Sequence, residues 1–270
     1  MAGAAIELRN VTKRFATPKG GTYTAIRDLT MEVGPGEFCA VVGPTGCGKS
    51  TTLALISGLE RASAGDVLVQ GQPVRGIPDG IGYVFQSDAV FPWKTVLENV
   101  AAGPRYHGTS GSDARKRARD WISRVGLAGF EDRYPYQLSG GMRKRVGLAQ
   151  SLINNPRILL MDEPFSALDV QTRTLMENEL LSLWAATSAS VVFVTHDLEE
   201  AIALADRVVV LTAGPGTVKG TFPVDLPRPR NVAEIRFQPQ FSRIYEAIWL
   251  QLRDEVLVSY ERQKHAAAAG

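Results

Sequence analysis

The chain has 270 residues, and its 30 Lys and Arg are nearly balanced by 28 Asp and Glu, which leaves a net charge of +2. This length suits one large α/β domain, alone or with a small appendage, and the charge argues against nucleic-acid binding through bulk electrostatics. The two cysteines do not suggest a disulfide framework, no stretch reaches the ~20 apolar residues of a membrane helix, and no signal peptide is evident, so we expect a cytoplasmic protein.

The first predicted elements are two antiparallel strands at residues 6–15 and 22–33, joined by a loop that contains proline and glycine. Short, almost uniformly apolar runs then alternate with helical patterns, which is typical of a parallel sheet covered on both faces. The strands are predicted at residues 37–43, 80–86, 157–163, 190–196 and 206–212, and the helices at residues 50–57, 113–125, 140–153, 170–186 and 198–205. The predicted fold class is therefore α/β, with an N-terminal antiparallel β lobe ahead of a parallel-sheet core.

The middle of the chain, residues 87–155, carries several helical signals and weak strand signals, and we interpret it as a helical subdomain inserted into the core. The α/β domain is predicted to span residues 4–226. A proline-broken connection follows it. Residues 227–270 are predicted to form a C-terminal extension with one helix at 241–255 and a disordered tail at 265–270.

A phosphate-binding loop is predicted between a strand and a helix, where GPTGCGKST matches the pattern G-x-x-x-x-G-K-[ST]. Its glycines let backbone N–H groups approach phosphate oxygens, and the helix N-terminus adds positive potential. Lys49 should reach the β- and γ-phosphates, and Ser50 should bind Mg²⁺. The residues predicted to contact the nucleotide are Gly43, Pro44, Thr45, Gly46, Cys47, Gly48, Lys49, Ser50 and Thr51.

Two adjacent carboxylates end the predicted strand at 157–163. Asp162 is predicted to hold Mg²⁺ beside the phosphate loop. Glu163, the next residue, is placed to polarise a water for in-line attack on the γ-phosphate. The alternative is a loop or helix-capping carboxylate, and the adjacency to Asp162 favours catalysis.

These motifs resemble those of the ATP-binding-cassette (ABC) ATPases. Besides the phosphate loop and ILLMDEP, the chain has Gln86, LSGGM at 138–142, SALD at 166–169 and VTHD at 194–197, in the order and approximate spacing of that family. The resemblance covers nearly the whole chain, from residue 6 to about residue 226. It implies a P-loop NTPase cassette that uses ATP and Mg²⁺ and hydrolyses the ATP.

The run LSGGM predicts a second helix N-terminus that binds an anion, in addition to the one that follows the phosphate-binding loop. In the family, two cassettes stack head to tail, and this signature helix caps the γ-phosphate that the other cassette binds. Ser139, Gly140 and Gly141 are the residues so implied, because a hydroxyl and exposed amides at a helix N-terminus suit a phosphate. Taken alone, Ser139 would be interpreted as an ordinary N-cap, and the other motifs favour the phosphate-binding role. Met142 stands where the family commonly has Gln, a change that leaves the serine and glycines in place.

Three further site residues are implied by the resemblance. Gln86, at a strand end, senses Mg²⁺ or the attacking water and relays that state to the helical subdomain. His196 matches the family's switch histidine, which hydrogen-bonds the γ-phosphate, and Asp169 matches the loop that touches the opposite cassette. The alternative for Gln86 is an ordinary amide at a strand end. For His196 it is a structural histidine, and for Asp169 a helix N-cap.

The resemblance also implies an aromatic residue near the end of the first strand that stacks on the adenine. Phe15 aligns best with this position. Tyr23 is the alternative, because the intervening loop can bring it to the same place. Core packing is the ordinary explanation for either ring.

The single cassette, without fused membrane helices, favours a stand-alone subunit that serves a separate permease. AVFPWKTVLENV after Gln86, and LPRPRN at 226–231, resemble the nitrate, sulfonate and taurine-type importers. The apolar cluster of Phe91, Pro92 and Trp93 is a candidate socket for a permease helix. Core packing is the alternative for Trp93.

The implied partners are an integral-membrane permease, a second cassette that is either a copy of this chain or a paralogue, and, indirectly, a periplasmic or extracellular solute-binding protein. This places the chain at the cytoplasmic face of the membrane, and no nucleic acid is expected. The alternative is a soluble ABC ATPase that acts on nucleic acid or ribosomes, which a basic stripe would favour. The one basic cluster, at 115–119, has Asp113 and Asp120 beside it and is interpreted as a solvated helix face.

Overall fold

A computed structural model of the chain describes residues 3–18, 20–87, 89–187 and 189–268. The chain forms two compact units. Unit 1 comprises Met1–Asp79 and Ser190–Gly270, and unit 2 comprises Gly80–Ala189. Unit 2 is therefore longer than the helical subdomain predicted at 87–155. It also contains the two strands predicted at 80–86 and 157–163 and the helix predicted at 170–186.

The N-terminal lobe of unit 1 is an antiparallel sheet, as predicted. Strand β1 (Ile6–Ala16) pairs with β2 (Thr22–Val33) on one side and with β4 (Ala64–Val69) on the other, and β5 (Gln72–Pro73) follows β4. The sequence analysis did not predict β4 and β5. Their residues are mostly exposed, so they lack the apolar runs from which the other strands were predicted.

The core of unit 1 is a parallel sheet whose strands are apolar because they are buried on both faces. Strand β3 (Phe38–Val42) pairs in parallel with β8 (Ser190–Thr195) and with β9 (Arg207–Leu211). Strand β10 (Val218–Pro223) adds an antiparallel edge to β9 and was not predicted. Helix α1 (Lys49–Ile56) follows β3, and α6 (Leu198–Leu204) follows β8. The α/β prediction is confirmed.

Unit 2 contains the parallel strands β6 (Ile81–Val84) and β7 (Ile158–Asp162) and four helices. These helices are α2 (Val96–Tyr106), α3 (Gly111–Arg124), α4 (Gly140–Leu152) and α5 (Val170–Ala185). A 3-10 turn, Pro135–Gln137, precedes α4. Helix α2 starts with a capping box, in which the Thr95 side chain and the Glu98 side chain each accept a hydrogen bond from the other's backbone N–H.

The C-terminal extension holds two helices, α7 (Val232–Ile235) and α8 (Pro239–Ala268). Helix α8 is longer than the predicted 241–255, because neither proline nor glycine interrupts residues 240–268 and alanine, which dominates its end, has the highest helix propensity. The tail was predicted to be disordered at 265–270, which is wrong for residues 265–268, because they belong to α8; residues 269 and 270 lie outside the described part of the chain. No helix in that described part combines the length and the hydropathy needed to cross a membrane.

Candidate functional site

The loop from Gly43 to Gly48 leaves the end of β3 and enters α1, as the motif requires. Gly48 has φ 102°, and a Cβ at this position would lie 2.9 Å from Ile26 Cγ1 and 3.0 Å from the Ala25 carbonyl oxygen. Both the backbone conformation and the packing therefore demand glycine. Gly48 is also the N-cap of α1 and supplies no side-chain hydrogen bond, so this helix start is shaped for an anion.

Lys49 holds the loop through hydrogen bonds to its backbone. Its side chain is buried, and Nζ donates to the carbonyl oxygens of Gly43 at 2.8 Å and Pro44 at 3.2 Å. A buried ammonium held at the loop is the group that a bound triphosphate would draw to its oxygens, so the donor set fits a nucleotide. The other loop residues divide by exposure: Thr45, Gly46 and Ser50 are exposed, Gly48 and Thr51 are half-buried, and Gly43, Pro44 and Cys47 are buried.

Phe15 and Tyr23, the two candidate adenine partners, face each other across β1 and β2 as a register pair. Tyr23 is 50% exposed, and its hydroxyl donates to the Gly46 carbonyl oxygen over 3.4 Å. Phe15 is half-buried, and the Lys13 ammonium lies 4.6 Å from the centre of its ring. The sheet therefore brings both rings to one end of the lobe, with Tyr23 against the phosphate loop.

His196 follows β8 directly and is exposed. Because Val42 and Thr195 are register partners in parallel strands, the next residues, Gly43 and His196, emerge at the same edge of the sheet. The turn after His196 is well anchored. The Thr195 hydroxyl accepts from the Asp197 N–H at 3.0 Å and donates to the buried Glu200 carboxylate. This edge of unit 1 thus holds the phosphate loop and His196 side by side.

In unit 2, the predicted carboxylates lie at the end of β7. Asp162 is 8% exposed, and Glu163 has φ 42°. A left-handed backbone is uncommon for a residue other than glycine and is found more often at functional sites. The Gln86 amide donates to Glu163 Oε2 over 3.5 Å, a long hydrogen bond. Burial, together with the Asp162 charge, raises the pKa of the neighbouring Tyr83 hydroxyl.

Lys144 is a residue of this region that the sequence analysis missed. It lies on α4, its side chain is buried, and Nζ donates to the Gln86 carbonyl oxygen at 2.6 Å. It therefore ties the signature helix to Gln86. The available signal was its spacing, because Lys144, Leu148 and Leu152 follow one another every four residues along the buried face of α4.

The signature residues begin α4. Ser139 is the N-cap, and its hydroxyl accepts from the Met142 N–H at 3.3 Å. Ser139 and Gly140 are exposed, whereas a Cβ on Gly141 would lie 3.0 Å from Thr172 Cγ2. The capping role is therefore present in the chain, and the exposed start of the helix remains accessible to a further group.

Asp169 is the N-cap of α5 and is exposed. Its Oδ1 accepts from the Thr172 N–H at 3.0 Å, and this backbone hydrogen bond, with one from the Thr172 hydroxyl, holds the pKa of Asp169 below its usual range. Asp169 is thus charged and outward-facing at neutral pH. Its capping role does not prevent contact with another protein.

The donors predicted for Mg²⁺ are a hydroxyl, an amide oxygen and a carboxylate, all oxygen ligands of the kind that this ion prefers. Across the described ranges, no three His, Cys, Asp or Glu side chains cluster in a way that could hold a metal. Mg²⁺ usually keeps several waters and is bound through one or two carboxylates and substrate phosphates, and Asp162 is the carboxylate predicted for it.

Comparisons with known proteins extend this picture. Residues 26–166 match the family model described as ABC transporter. A nitrate import ATP-binding protein of Synechocystis sp. is 40% identical over 253 residues, which cover 92% of this chain and 95% of that protein. A taurine import ATP-binding protein of Burkholderia pseudomallei is 44% identical over 240 residues, with 87% and 92% coverage. A solved dimeric ATP-binding cassette, in a post-hydrolysis state bound to ADP and Pi, matches with 32% identity and a TM-score of 0.73, over 82% of this chain and 100% of that one.

Proposed function

Because the chain belongs to the ABC transporter family of ATP-hydrolysing cassettes, we propose that it is the energy-coupling subunit of an importer for a small solute of the nitrate, sulfonate or taurine class. The observation that carries this proposal is the likeness to two import ATP-binding proteins along almost their entire length. The resemblance first seen in the motifs is thereby confirmed at the level of the family.

The nucleotide is held by the phosphate loop. Lys49 binds the β- and γ-phosphate oxygens, Phe15 stacks on the adenine, and Tyr23 braces the loop through Gly46. Mg²⁺, when bound, neutralises charge on the phosphate oxygens. The Ser50 hydroxyl, the Gln86 amide oxygen and the Asp162 carboxylate are its proposed ligands.

For hydrolysis, Glu163 accepts a proton from the attacking water as the oxygen of that water bonds to the γ-phosphorus. The bond from the γ-phosphorus to the oxygen that bridges it to the β-phosphate breaks, and ADP leaves with the electron pair of that bond. Gln86, which contacts Glu163, orients the water. His196 donates a hydrogen bond to a γ-phosphate oxygen and so favours the charge that develops there. The position of Glu163 directly after Asp162, with the Gln86 amide as hydrogen-bond donor to its carboxylate, supports this role.

Two cassettes are needed for a complete cycle. Ser139, Gly140 and Gly141 of one cassette cap the γ-phosphate bound by the other, and Asp169 contacts the facing subunit. The dimeric state of the related solved cassette and the exposed start of α4 support this arrangement. ATP binding closes the dimer and drives the permease, and hydrolysis reopens it. The second cassette is a copy of this chain or a paralogue.

The permease is proposed to dock on unit 2. A groove of about 280 Å³ runs between β6, α2 and α4 and is flanked by aromatic side chains. Trp93 is 71% exposed and Tyr106 is 76% exposed, so core packing does not explain Trp93. The Trp93 loop is also held firmly, because the buried Asn99 side chain accepts from the Phe91 N–H at 2.7 Å and donates to the Lys94 carbonyl oxygen at 3.0 Å. Trp93 lies beside the groove, because its ring centre is 5.8 Å from that of Phe91, which lines it. A well-held, exposed aromatic surface of this kind suits an apolar permease helix.

In this arrangement the chain is peripheral at the cytoplasmic face of the membrane, and a periplasmic or extracellular solute-binding protein meets only the permease. The basic residues at 115–119 are exposed on α3, and Ala114 and Ala118 are its buried contacts there. Arg117 donates to the Ile153 carbonyl oxygen at 2.7 Å, and the other basic side chains lie on the exposed face of α3 with Asp113 and Asp120.

The test is to purify the tagged chain from gently solubilised membranes and identify the proteins that accompany it by mass spectrometry. A multi-spanning permease is the expected result. Trp93→Asp should lose the permease and keep ATP binding, whereas Tyr260→Asp, a matched change of an aromatic residue 66% exposed on α8, should keep both. Recovery of ribosomes, nucleic acid or only soluble proteins with the wild-type chain would refute the transport assignment.

A further inference from the structure

We propose that Lys13 positions Phe15 for adenine stacking and ties that ring to the helix whose other end binds the phosphates. This inference rests on the proposed function, in which Phe15 is the adenine partner. Lys13 and Phe15 are two residues apart on β1, so their side chains share one face of the strand. The Lys13 ammonium lies 4.6 Å from the centre of the Phe15 ring, within the range of a cation–π contact.

The ammonium is held by a carboxylate and a backbone carbonyl oxygen from another segment of the chain. Nζ lies 2.6 Å from Glu60 Oε2 and donates to the Arg61 carbonyl oxygen at 3.0 Å. The Lys13 side chain is 11% exposed, whereas that of Glu60 is 40% exposed. Because a buried lysine is stable only when paired, this cation has one well-defined place, directly against Phe15.

The anchor of Lys13 is hydrogen-bonded to the phosphate-binding helix α1. Glu60 follows the C-terminal end of α1, and its N–H donates to the Ala54 carbonyl oxygen at 3.0 Å. The segment that joins α1 to β4, residues 57–63, also contacts β1 at two other points. The Ser63 N–H donates to the Thr12 carbonyl oxygen at 2.7 Å, and the Arg14 N–H donates to Ser63 Oγ at 3.0 Å. The base-stacking strand and the phosphate helix are therefore joined through this connection.

The arrangement has a chemical consequence at the ring. A cation over one face of Phe15 draws electron density toward itself, which leaves the opposite face a better partner for the electron-rich face of adenine. It also removes rotational freedom from the ring before the nucleotide binds, so less entropy is lost on stacking. Lys13 is thus a positioning residue that acts through Phe15 and makes no contact with the nucleotide itself.

The experiment measures binding of ADP and of inorganic pyrophosphate to the full chain by calorimetry, so that hydrolysis does not interfere. Lys13→Met should weaken ADP binding about three- to tenfold and leave pyrophosphate binding unchanged. Lys13→Arg should restore most of the ADP affinity, because a guanidinium also stacks on aromatic rings. In a Phe15→Leu background, Lys13→Met should cause no additional loss.

Two controls separate positioning from general destabilisation. Lys219→Met removes a comparable lysine, whose Nζ lies 2.7 Å from Glu255 Oε1 on α8, and should leave ADP affinity unchanged. Glu60→Gln keeps Lys13 but weakens its anchor, and should give a smaller loss of ADP affinity than Lys13→Met. Thermal melting of each variant verifies that it is folded.

Equal losses for ADP and pyrophosphate, or a full loss from Lys13→Met in the Phe15→Leu background, would overturn the proposal. If Phe15→Leu alone left ADP affinity unchanged, the stacking role of Phe15 would fall and the positioning role of Lys13 with it. The importer assignment is judged separately, by whether a permease accompanies the chain.

Discussion

Arg230 lies in the LPRPRN segment, and its replacement by methionine should destabilise unit 1 strongly. The side chain is 1% exposed and fastens two segments of backbone. Nη1 donates to the carbonyl oxygens of Ile202, Ala203 and Ala205, at the C-terminal end of α6, and Nη2 donates to those of Val224 and Leu226. Arg230 is therefore the C-terminal cap of the helix that follows His196.

The expected loss of stability on Arg230→Met can be calculated from these hydrogen bonds. The two shortest hydrogen bonds, to Ala205 at 2.7 Å and to Leu226 at 3.0 Å, carry most of the energy. At about 1.5–3 kcal/mol for each hydrogen bond from a charged donor, they contribute roughly 3–6 kcal/mol. The cost of burying the guanidinium, which lowers the pKa of Arg230 to about 10, offsets part of this. We expect Arg230→Met to lower the free energy of unfolding by about 2–4 kcal/mol.

The assay is urea denaturation followed by circular dichroism, with Arg253→Met as the control. Arg253 is 53% exposed and lies 3.5 Å from Asp254, so its loss should change the free energy of unfolding by about 0.5 kcal/mol or less. If the two variants unfolded at the same urea concentration, the buried hydrogen bonds of Arg230 would not contribute as reasoned, and its capping role would have to be abandoned.

Three other changes test the site and the C-terminal helix. Glu163→Gln should keep ATP binding, lower turnover at least about 100-fold and trap a dimer visible by light scattering; wild-type turnover would remove Glu163 from the mechanism. Lys49→Ala should weaken ATP binding at least about tenfold by calorimetry, and an unchanged affinity would contradict its phosphate contact. Burial raises the pKa of Glu255, but hydrogen bonds from Lys219 and the Ala213 N–H outweigh it and hold the pKa below the ordinary 4.5. The ionised Glu255 therefore stabilises the fold above pH 4.5, and this stabilisation is lost as the pH falls below 4.5. Glu255→Gln should lower the melting temperature at about pH 7 and hardly change it at about pH 3. Equal decreases in melting temperature at both pH values would refute this link between pKa and stability.

Much of the fold could be predicted from local patterns. Strands β3, β7 and β8 are apolar at nearly every position, and α4 and α5 directly follow Ser139 and Asp169, which are recognisable N-caps. Strand β10, with the sequence VKGTFP, has no such pattern and exists because β9 offers it an antiparallel partner. Helix α2 was not predicted with bounds, although its capping box was present in the sequence.

The sequence by itself determined the family and the α/β class and predicted the residues of the phosphate loop, because these depend on short motifs and on hydrophobic periodicity. Only the tertiary structure decided which cations are buried and what they hold: Lys13 against Phe15, Lys144 on the Gln86 carbonyl, and Arg230 at the end of α6. The physical reason is that a buried charge is stabilised by partners distant in the chain, as when Lys13 meets Glu60 across 47 positions, and no local pattern specifies such a partner.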